Sequence, residues 1–178
     1  MKIATTHAPG SAENRVCLGD HRWVSIRPIE RSDAAGLSAF YSRLSPESRR
    51  RRFLGPVAAV DPRLVARFAV PGDGIVGVLR EPGRDDGAVV AHASVQADRR
   101  GAAEVAFAVA DDLHGLGLGR ALVDAAIRLA GERGLTRVSA SLYSDNTPMR
   151  HLLRDPAREV VRDVIEDGVE EIELRLAA

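Results

Sequence analysis

Residues 111–122 read DDLHGLGLGRAL, with Gly115, Gly117 and Gly119 at alternate positions. They separate an apolar run at 105–110 from an amphipathic one at 120–133. Glycine is disfavoured inside a regular strand or helix, so its recurrence marks a backbone that approaches something closely, and phosphate is the first candidate. The register narrows the choice. A Walker loop needs Gly-x-x-x-x-Gly-Lys-Ser/Thr, because the lysine and hydroxyl handle the outer phosphates and magnesium; here Arg120 and Ala121 follow Gly119. The dinucleotide fingerprint needs Gly-x-Gly-x-x-Gly/Ala, and its two possible frames end on Arg120 and Leu122. What remains is a loop whose amides and helix dipole suit a diphosphate, or a glycine-rich turn that only caps a helix.

Upstream of the loop, strand-like runs alternate with turn residues. GIVGVLRE (74–81), AVVAHASVQA (88–97) and AAEVAFAVA (102–110) are joined by PGRDDG and DRRG, the pattern of an antiparallel meander. Downstream, Leu122, Ala126, Leu129 and Ala130 make an apolar stripe on a helix that Gly134 ends, and TRVSASLY (136–143) is a further strand. Thr147-Pro148 opens a short helix through Leu153, and EVVRDVI and VEEIELRL form a hairpin around Asp167-Gly168. In its second arm Ile172, Leu174 and Leu176 alternate with Glu171, Glu173 and Arg175, so one face is buried. Nearer the N-terminus RWVSIRP reads as a strand, and Ser32-Asp33, Ser45-Pro46 and Asp61-Pro62 are helix starts. Trp23 and Phe53 are expected in the core. Residues 1–20 carry no pattern and are expected to be a flexible arm, with a single domain over 21–178. The order predicts an α/β fold with a mostly antiparallel sheet and a strand–helix–strand crossover around the glycine loop.

Bulk properties exclude several classes. A chain of 178 residues can bury one core without staples. Its formal net charge is zero, so no global field argues for nucleic acid or an anionic membrane, and the arginine run at 49–52 is too short to do so alone. Cys17 is the only cysteine, which rules out an intrachain disulfide and a multi-cysteine metal site. His7, His21, His92, His114 and His151 lack metal-ligand spacing, and no metal is expected. The N-terminus lacks a signal-peptide core, and no stretch reaches the ~20 apolar residues of a membrane span. The expectation is a cytoplasmic protein without nucleic-acid or membrane partners.

The loop matches Gln/Arg-x-x-Gly-x-Gly/Ala with His114 in the first position. With its flanks, AEVAFAVADDLHGLGLGRALVDAAIRLAGERGLTRVSASLYSDNTPM (103–149), it resembles the core of the GNAT N-acetyltransferases. The resemblance spans residues 22–176. It implies the acyl-CoA N-acyltransferase fold, a central mostly antiparallel twisted sheet of six to seven strands flanked by four to five helices. VSIRPIERSDAAGLSAFYSRLSPESRRRRFLGP (24–56) is also similar to the acetyltransferase domain of bacterial protein lysine acetyltransferases that modify acyl-CoA synthetases.

The resemblance implies acetyl-CoA as co-substrate and an amine as acceptor, meeting in a V-shaped opening between the fourth and fifth core strands. The backbone of Phe107, Ala108 and Val109 would hold pantetheine. His114, Gly115, Leu116, Gly117, Leu118, Gly119 and Arg120 would cradle the diphosphate, with Asn146, Met149 and Leu153 completing the donor site. Glu104, ten residues before His114, holds the place of the family's catalytic glutamate. A lysine amine titrates about three units above neutral, so a base is needed. A regular strand sets Glu104 and Phe107 on opposite faces; a bulge near 106–108 is expected to re-aim them. Leu153 stands where many members carry a tyrosine that protonates the departing thiolate, an acid that a stable leaving group can do without. Tyr143 and His151 are substitute acids or structural residues. Ala157-Arg158 replaces the family's Gly-Phe after this helix. The arginines at 49–52 form either a wall of the acceptor site or a solvated helix face. Three functions stay open: transfer to a protein lysine, for example on an acyl-CoA synthetase; transfer to a small amine; or acyl-CoA binding without catalysis, as a monomer or homodimer.

Overall fold

Alternating apolar residues and capped helices assemble one nine-stranded sheet in the computed structural model, which describes residues 5–7, 14–80, 87–97 and 102–176. The strands are β1 (Thr5–His7), β2 (Asn14–Cys17), β3 (Trp23–Pro28), β4 (Gly74–Leu79), β5 (Ala88–Ala97), β6 (Ala102–Val109), β7 (Arg137–Tyr143), β8 (Glu159–Glu166) and β9 (Val169–Arg175), in the spatial order β1-β2-β3-β4-β5-β6-β7-β9-β8. All neighbours are antiparallel except β6 and β7. Five α-helices among the described residues accompany them: α1 (Ala34–Arg43), α2 (Pro46–Phe53), α3 (Pro62–Phe68), α4 (Leu118–Glu132) and α5 (Thr147–Leu153). None is long and apolar enough to cross a membrane. The turns expected at PGRDDG and DRRG fall mostly outside the described residues.

Two expectations change at the N-terminus. The sheet exceeds six to seven strands because part of the supposed arm belongs to it. Asn14–Cys17 pairs with β3, Val16 opposite Val24, and Val16 and Leu18 are buried. Residues 1–4 and 8–13 lie outside the described residues. Trp23 is 38% exposed with the Arg15 guanidinium 5.5 Å from its ring, rather than in the core. Strand alternation explains this, since Val24 and Ile26 take the inward face.

Local chemistry accounts for the helix starts. Ser45 Oγ accepts from the Ser48 amide (3.1 Å), Asp61 Oδ1 from the Arg63 amide (2.8 Å), and Pro46 and Pro62 fill first-turn positions. At the third start Asp33 does not cap; its carboxylate turns back to the Glu30 amide (2.8 Å) and the Arg27 guanidinium (2.7 Å). Asp167 and Gly168 both have positive φ (49° and 78°), the requirement of a tight type I′ hairpin.

The two faces of the sheet have separate cores. On one, α4 packs Leu122, Val123, Ala126 and Leu129 against Val24, Ile26, Ala93 and Val105. On the other, Leu37, Phe40 and Tyr41 of α1 and Val65 of α3 meet Val76, Val78 and Val89. Between β6 and β7 the sheet divides. They pair only through Ala102–Arg137, Ala103–Val138 and Glu104–Ser139. Beyond that, β6 stays with β5 as far as Val109, and β7 stays with β9 as far as Tyr143.

Candidate active site

A cavity of about 480 Å³ occupies the fork. Phe107, Ala108 and Val109 line one side and Ala140, Ser141 and Leu142 the other. Because β6 and β7 no longer pair here, each strand leaves one edge of backbone N–H and C=O groups without a ladder partner. Such groups demand one, and an extended ligand can supply it.

The glycine loop closes one end. Gly115 and Gly117 adopt positive φ (75° and 93°), where a side chain is strained, and Gly117 is the N-cap of α4. No side chain caps this helix; its first backbone bond runs from the Ala121 amide to the Gly117 carbonyl. The amides of Leu118, Gly119 and Arg120 therefore have no acceptor within the helix. Unspent donors beside the positive end of a fifteen-residue helix fit the diphosphate of CoA. His114 begins the loop, and its Nε2 donates to the Val109 carbonyl (3.0 Å), tying the loop to the end of β6. The Arg120 guanidinium pairs with Asp155.

Most of the expected donor-site residues converge: Phe107, Ala108, Val109, His114, Gly115, Gly117, Gly119, Arg120, Asn146 and Met149 all line the cavity. Asn146 does so while capping α5, its Oδ1 accepting from the Met149 amide (3.4 Å), and the helix runs from Thr147 to Leu153 as expected. Leu116, Leu118 and Leu153 do not line it. The Leu116 side chain packs toward Gly19, and its carbonyl accepts from the Gly19 amide (3.3 Å). Leu118 and Leu153 have their side chains in the core, which leaves Leu118 only its amide to offer. On α5, Met149 and Leu152 share the cavity-facing stripe, and Leu153, about 100° further round, points inward. Tyr143 sits beneath the Arg50 guanidinium (4.0 Å) and His151 is exposed; neither lines the cavity. Arg158, in place of the expected phenylalanine, bridges α5 to α4 through the Leu152 carbonyl and Asp124.

Glu104 is exposed, at the last paired position before the fork, and does not line the cavity. The bulge expected near 106–108 is absent: β6 runs in unbroken register with β5 from Ala103 to Val109. The opening comes from the parting of β6 and β7 instead. Alternation therefore persists, with Phe107 and Val109 facing α4 while Ala106 and Ala108 face the side of α2, as Glu104 does.

On that side α2 forms the wall. Its N-terminus is fastened to the segment after β6, because Asp111 accepts from the Ser45 amide (2.9 Å), the Ser45 hydroxyl (2.8 Å) and the Ser48 hydroxyl (2.6 Å). Partial burial pushes the Asp111 carboxyl up, and the bonds from Ser48 and Ser45 outweigh it, holding the carboxyl below its usual range. Behind α2, the Tyr41 hydroxyl meets Nδ1 of the fully buried His92 (2.8 Å). Burial first, and the Arg52 charge second, hold the His92 imidazole well below its ordinary range and hence neutral. Of the arginine run, Arg51 and Arg52 line the cavity. Spacing gives no role to Asp111, Tyr41 or His92, and Arg52 enters only as part of the arginine run.

Comparison with known proteins agrees with this geometry. The model of the acetyltransferase (GNAT) family matches residues 39–155. Acetyltransferase PA5475 of Pseudomonas aeruginosa is 30% identical over 139 residues, 76% of this chain and 74% of the relative. The GNAT domain of S. lividans PAT is 29% identical with a TM-score of 0.77, covering 96% of this chain and 100% of that one. The acetyl-CoA complex of yncA, a putative acetyltransferase from Salmonella typhimurium, shares the fold at 20% identity, with a TM-score of 0.63 over 86% of this chain and 92% of its own. A split parallel strand pair, a glycine loop opening a helix and the family match converge: the chain belongs to the acetyltransferase (GNAT) family, an N-acetyltransferase with acetyl-CoA as co-substrate.

Proposed function

We propose that the chain transfers the acetyl group of acetyl-CoA to a lysine side-chain amine of a protein, by direct attack within a ternary complex. The observation that carries this reading is the place of α2. The stretch similar to the protein lysine acetyltransferases, LSPESRRRRF, forms the cavity wall on the face opposite the glycine loop, the side this reading gives to the acceptor. The match to the GNAT domain of S. lividans PAT over the whole of that domain supports it.

The roles follow from the chain's own groups. Amides of Leu118, Gly119 and Arg120 receive the diphosphate, and the free edge of β6 at Phe107 to Val109 receives the pantetheine amides. An N–H of that edge polarises the thioester carbonyl and holds the charge that develops on its oxygen. The lysine ammonium must first lose a proton, a step costing roughly 4 kcal/mol at neutral pH. Glu104, on the α2 face at the base of the fork, takes that proton through water. Neither Tyr143 nor His151 lines the cavity to stand in for the tyrosine missing at Leu153, and CoA leaves as a thiolate that is stable near neutral pH.

The test is release of CoA thiol with acyl-CoA synthetases and with small amines as acceptors. Turnover with a protein acceptor, falling at least tenfold in kcat/KM in Glu104→Gln through loss of general-base catalysis, is the expected result. Turnover confined to free amines replaces the lysine reading, and a Glu104→Gln rate within about twofold of wild type removes the base assignment.

A further inference from the structure

The four arginines of α2 are not equivalent. Arg49 spends its guanidinium on the carbonyls of Leu44 (2.7 Å) and Val57 (3.2 Å). Arg50 and Arg51 share Glu47, at 2.9 Å and 2.6 Å. Arg52 turns the other way. Its Nη2 donates to Ser94 Oγ (3.0 Å), and its Cζ lies 5.1 Å from the ring centres of both Phe53 and Phe68. Its Nε is buried without an acceptor, and no carboxylate among the described residues pairs with it.

Arg52 is half-buried, with its Nε shielded from water and no anion beside it, a costly arrangement, and it lines the cavity. Among the described residues no aspartate or glutamate does so. The polar groups behind it, Tyr41 and His92, are neutral at pH 7 and contribute no countercharge: burial pushes the tyrosine up and the imidazole down. Nor is Arg52 placed for the diphosphate, since the glycine loop opens α4 on the other face of the sheet. We infer that Arg52 is the subsite for a carboxylate that the acceptor carries a short distance from its reacting amine.

Register sets the spacing. Ser94, which holds the guanidinium, stands opposite Ala106, and the next pair on the same face is Gln96 with Glu104. Anion subsite and proton acceptor are thus about one strand period, roughly 7 Å, apart. That suits a lysine with an acidic neighbour in a polypeptide, or a free amine with a carboxylate a few carbons away. Ser94 and the two aromatic rings fix the guanidinium before the acceptor arrives, so little side-chain entropy is lost on pairing.

The inference rests on the acceptor entering along α2, and its test separates from that of the lysine reading. Two peptides blocked by acetylation at the N-terminus only, each with a single free lysine and differing only in the glutamate or glutamine beside it, are compared by thiol release with wild type, Arg52→Gln and Arg52→Lys. In parallel, binding of 6-aminohexanoate and of 6-aminohexanamide to the CoA complex is measured by calorimetry. Wild type is expected to favour the acidic member of each pair by about tenfold or more, the worth of one charge-assisted pair. Arg52→Gln brings that ratio near one without altering affinity for acetyl-CoA, and Arg52→Lys retains part of it. If peptides do not turn over but the calorimetric preference is present and Arg52-dependent, the lysine reading fails and the subsite stands for small carboxylated amines. Equal treatment of both members by wild type, or equal losses on both in the variants, overturns the subsite. Should Arg52→Gln fail to fold, Arg52→Lys, which keeps the charge and loses the fork, decides.

Discussion

Asp111 joins the two halves of the site, and its removal tests that architecture. It accepts three hydrogen bonds from Ser45 and Ser48 at 2.6–2.9 Å. Bonds to a charged acceptor contribute about 1.5–3 kcal/mol each when well shielded. Asp111 is largely exposed, and solvent screening reduces the sum to about the value of one strong helix cap, 2 kcal/mol. Asp111→Ala should therefore lower the unfolding free energy by about 2 kcal/mol, equivalent to about 4–8 °C in Tm for a chain of this size. The pH dependence has a definite sign. The folded carboxyl titrates below its ordinary value, so its contribution is complete above about pH 4, the unfolded value, and is lost as pH falls through the folded one. Urea titrations at pH 7, 5 and 3.5 should show the wild-type advantage intact at the first two and narrowed at the third. In turnover assays KM for the acceptor should rise more than the Kd for acetyl-CoA, because α2 loosens while the α4 amides stay in place. A stability change under 0.5 kcal/mol at pH 7, or an advantage that grows on acidification, refutes the reasoning.

Two further perturbations address other parts of the molecule. Gly117→Glu puts bulk, charge and a strained positive φ of 93° beside the free amides of α4. It should weaken acetyl-CoA binding by two orders of magnitude or more in calorimetry, as a carboxylate and strain of about 1–2 kcal/mol oppose the diphosphate, and unchanged affinity removes the phosphate-cradle assignment. Glu170 is fully buried, hydrogen-bonded by Arg154 (2.8 Å) with Arg150 Nε 2.6 Å away. Glu170→Ala leaves Arg150 without a carboxylate and Arg154 with Asp163 alone (2.6 Å), and should cost about 3 kcal/mol, the lower end for a broken buried pair because both arginines keep some solvent; a loss below 1 kcal/mol by denaturation argues against the pair as the anchor of α5.

How far each feature could be read from sequence follows the range of the interaction behind it. The glycine register is local chemistry, and the positive φ at Gly115 and Gly117 and the uncapped start of α4 lie where the spacing placed them. The hairpin at Asp167-Gly168 is local too. Glu170 was within reach, because it shares parity with Ile172 and Leu174 and so had to point inward. β2 was not: NRVC is four residues with one buried apolar side chain, and only pairing with β3 makes it a strand. Leu118 and Leu153 stand at positions the motif assigns to the site, yet helix rotation sends both side chains into the core. Four arginines in a row look alike in sequence. What distinguishes Arg52 is the partner each finds in space, with Glu47 serving two and backbone carbonyls a third.

The fork and the chemistry share one cause, the unequal length of the two ladders that β6 makes. It pairs with β5 from Ala103 to Val109 but with β7 only from Ala102 to Glu104. Past Glu104 one edge of the strand is satisfied and the other is not, and unsatisfied backbone inside a fold calls for a ligand with its own amides. Because the register with β5 never slips, alternation survives through the fork. Phe107 and Val109 face α4, whose first amides are free, and Glu104, Ala106 and Ala108 face the helix that carries Arg52. In the proposed ternary complex donor and acceptor approach one strand edge from opposite faces of the sheet, and neither has to cross the other's path. A bulge in β6 would turn Glu104 toward the α4 face and break that separation; the unbroken register keeps it on the α2 face, where the proposed mechanism has the lysine lose its proton.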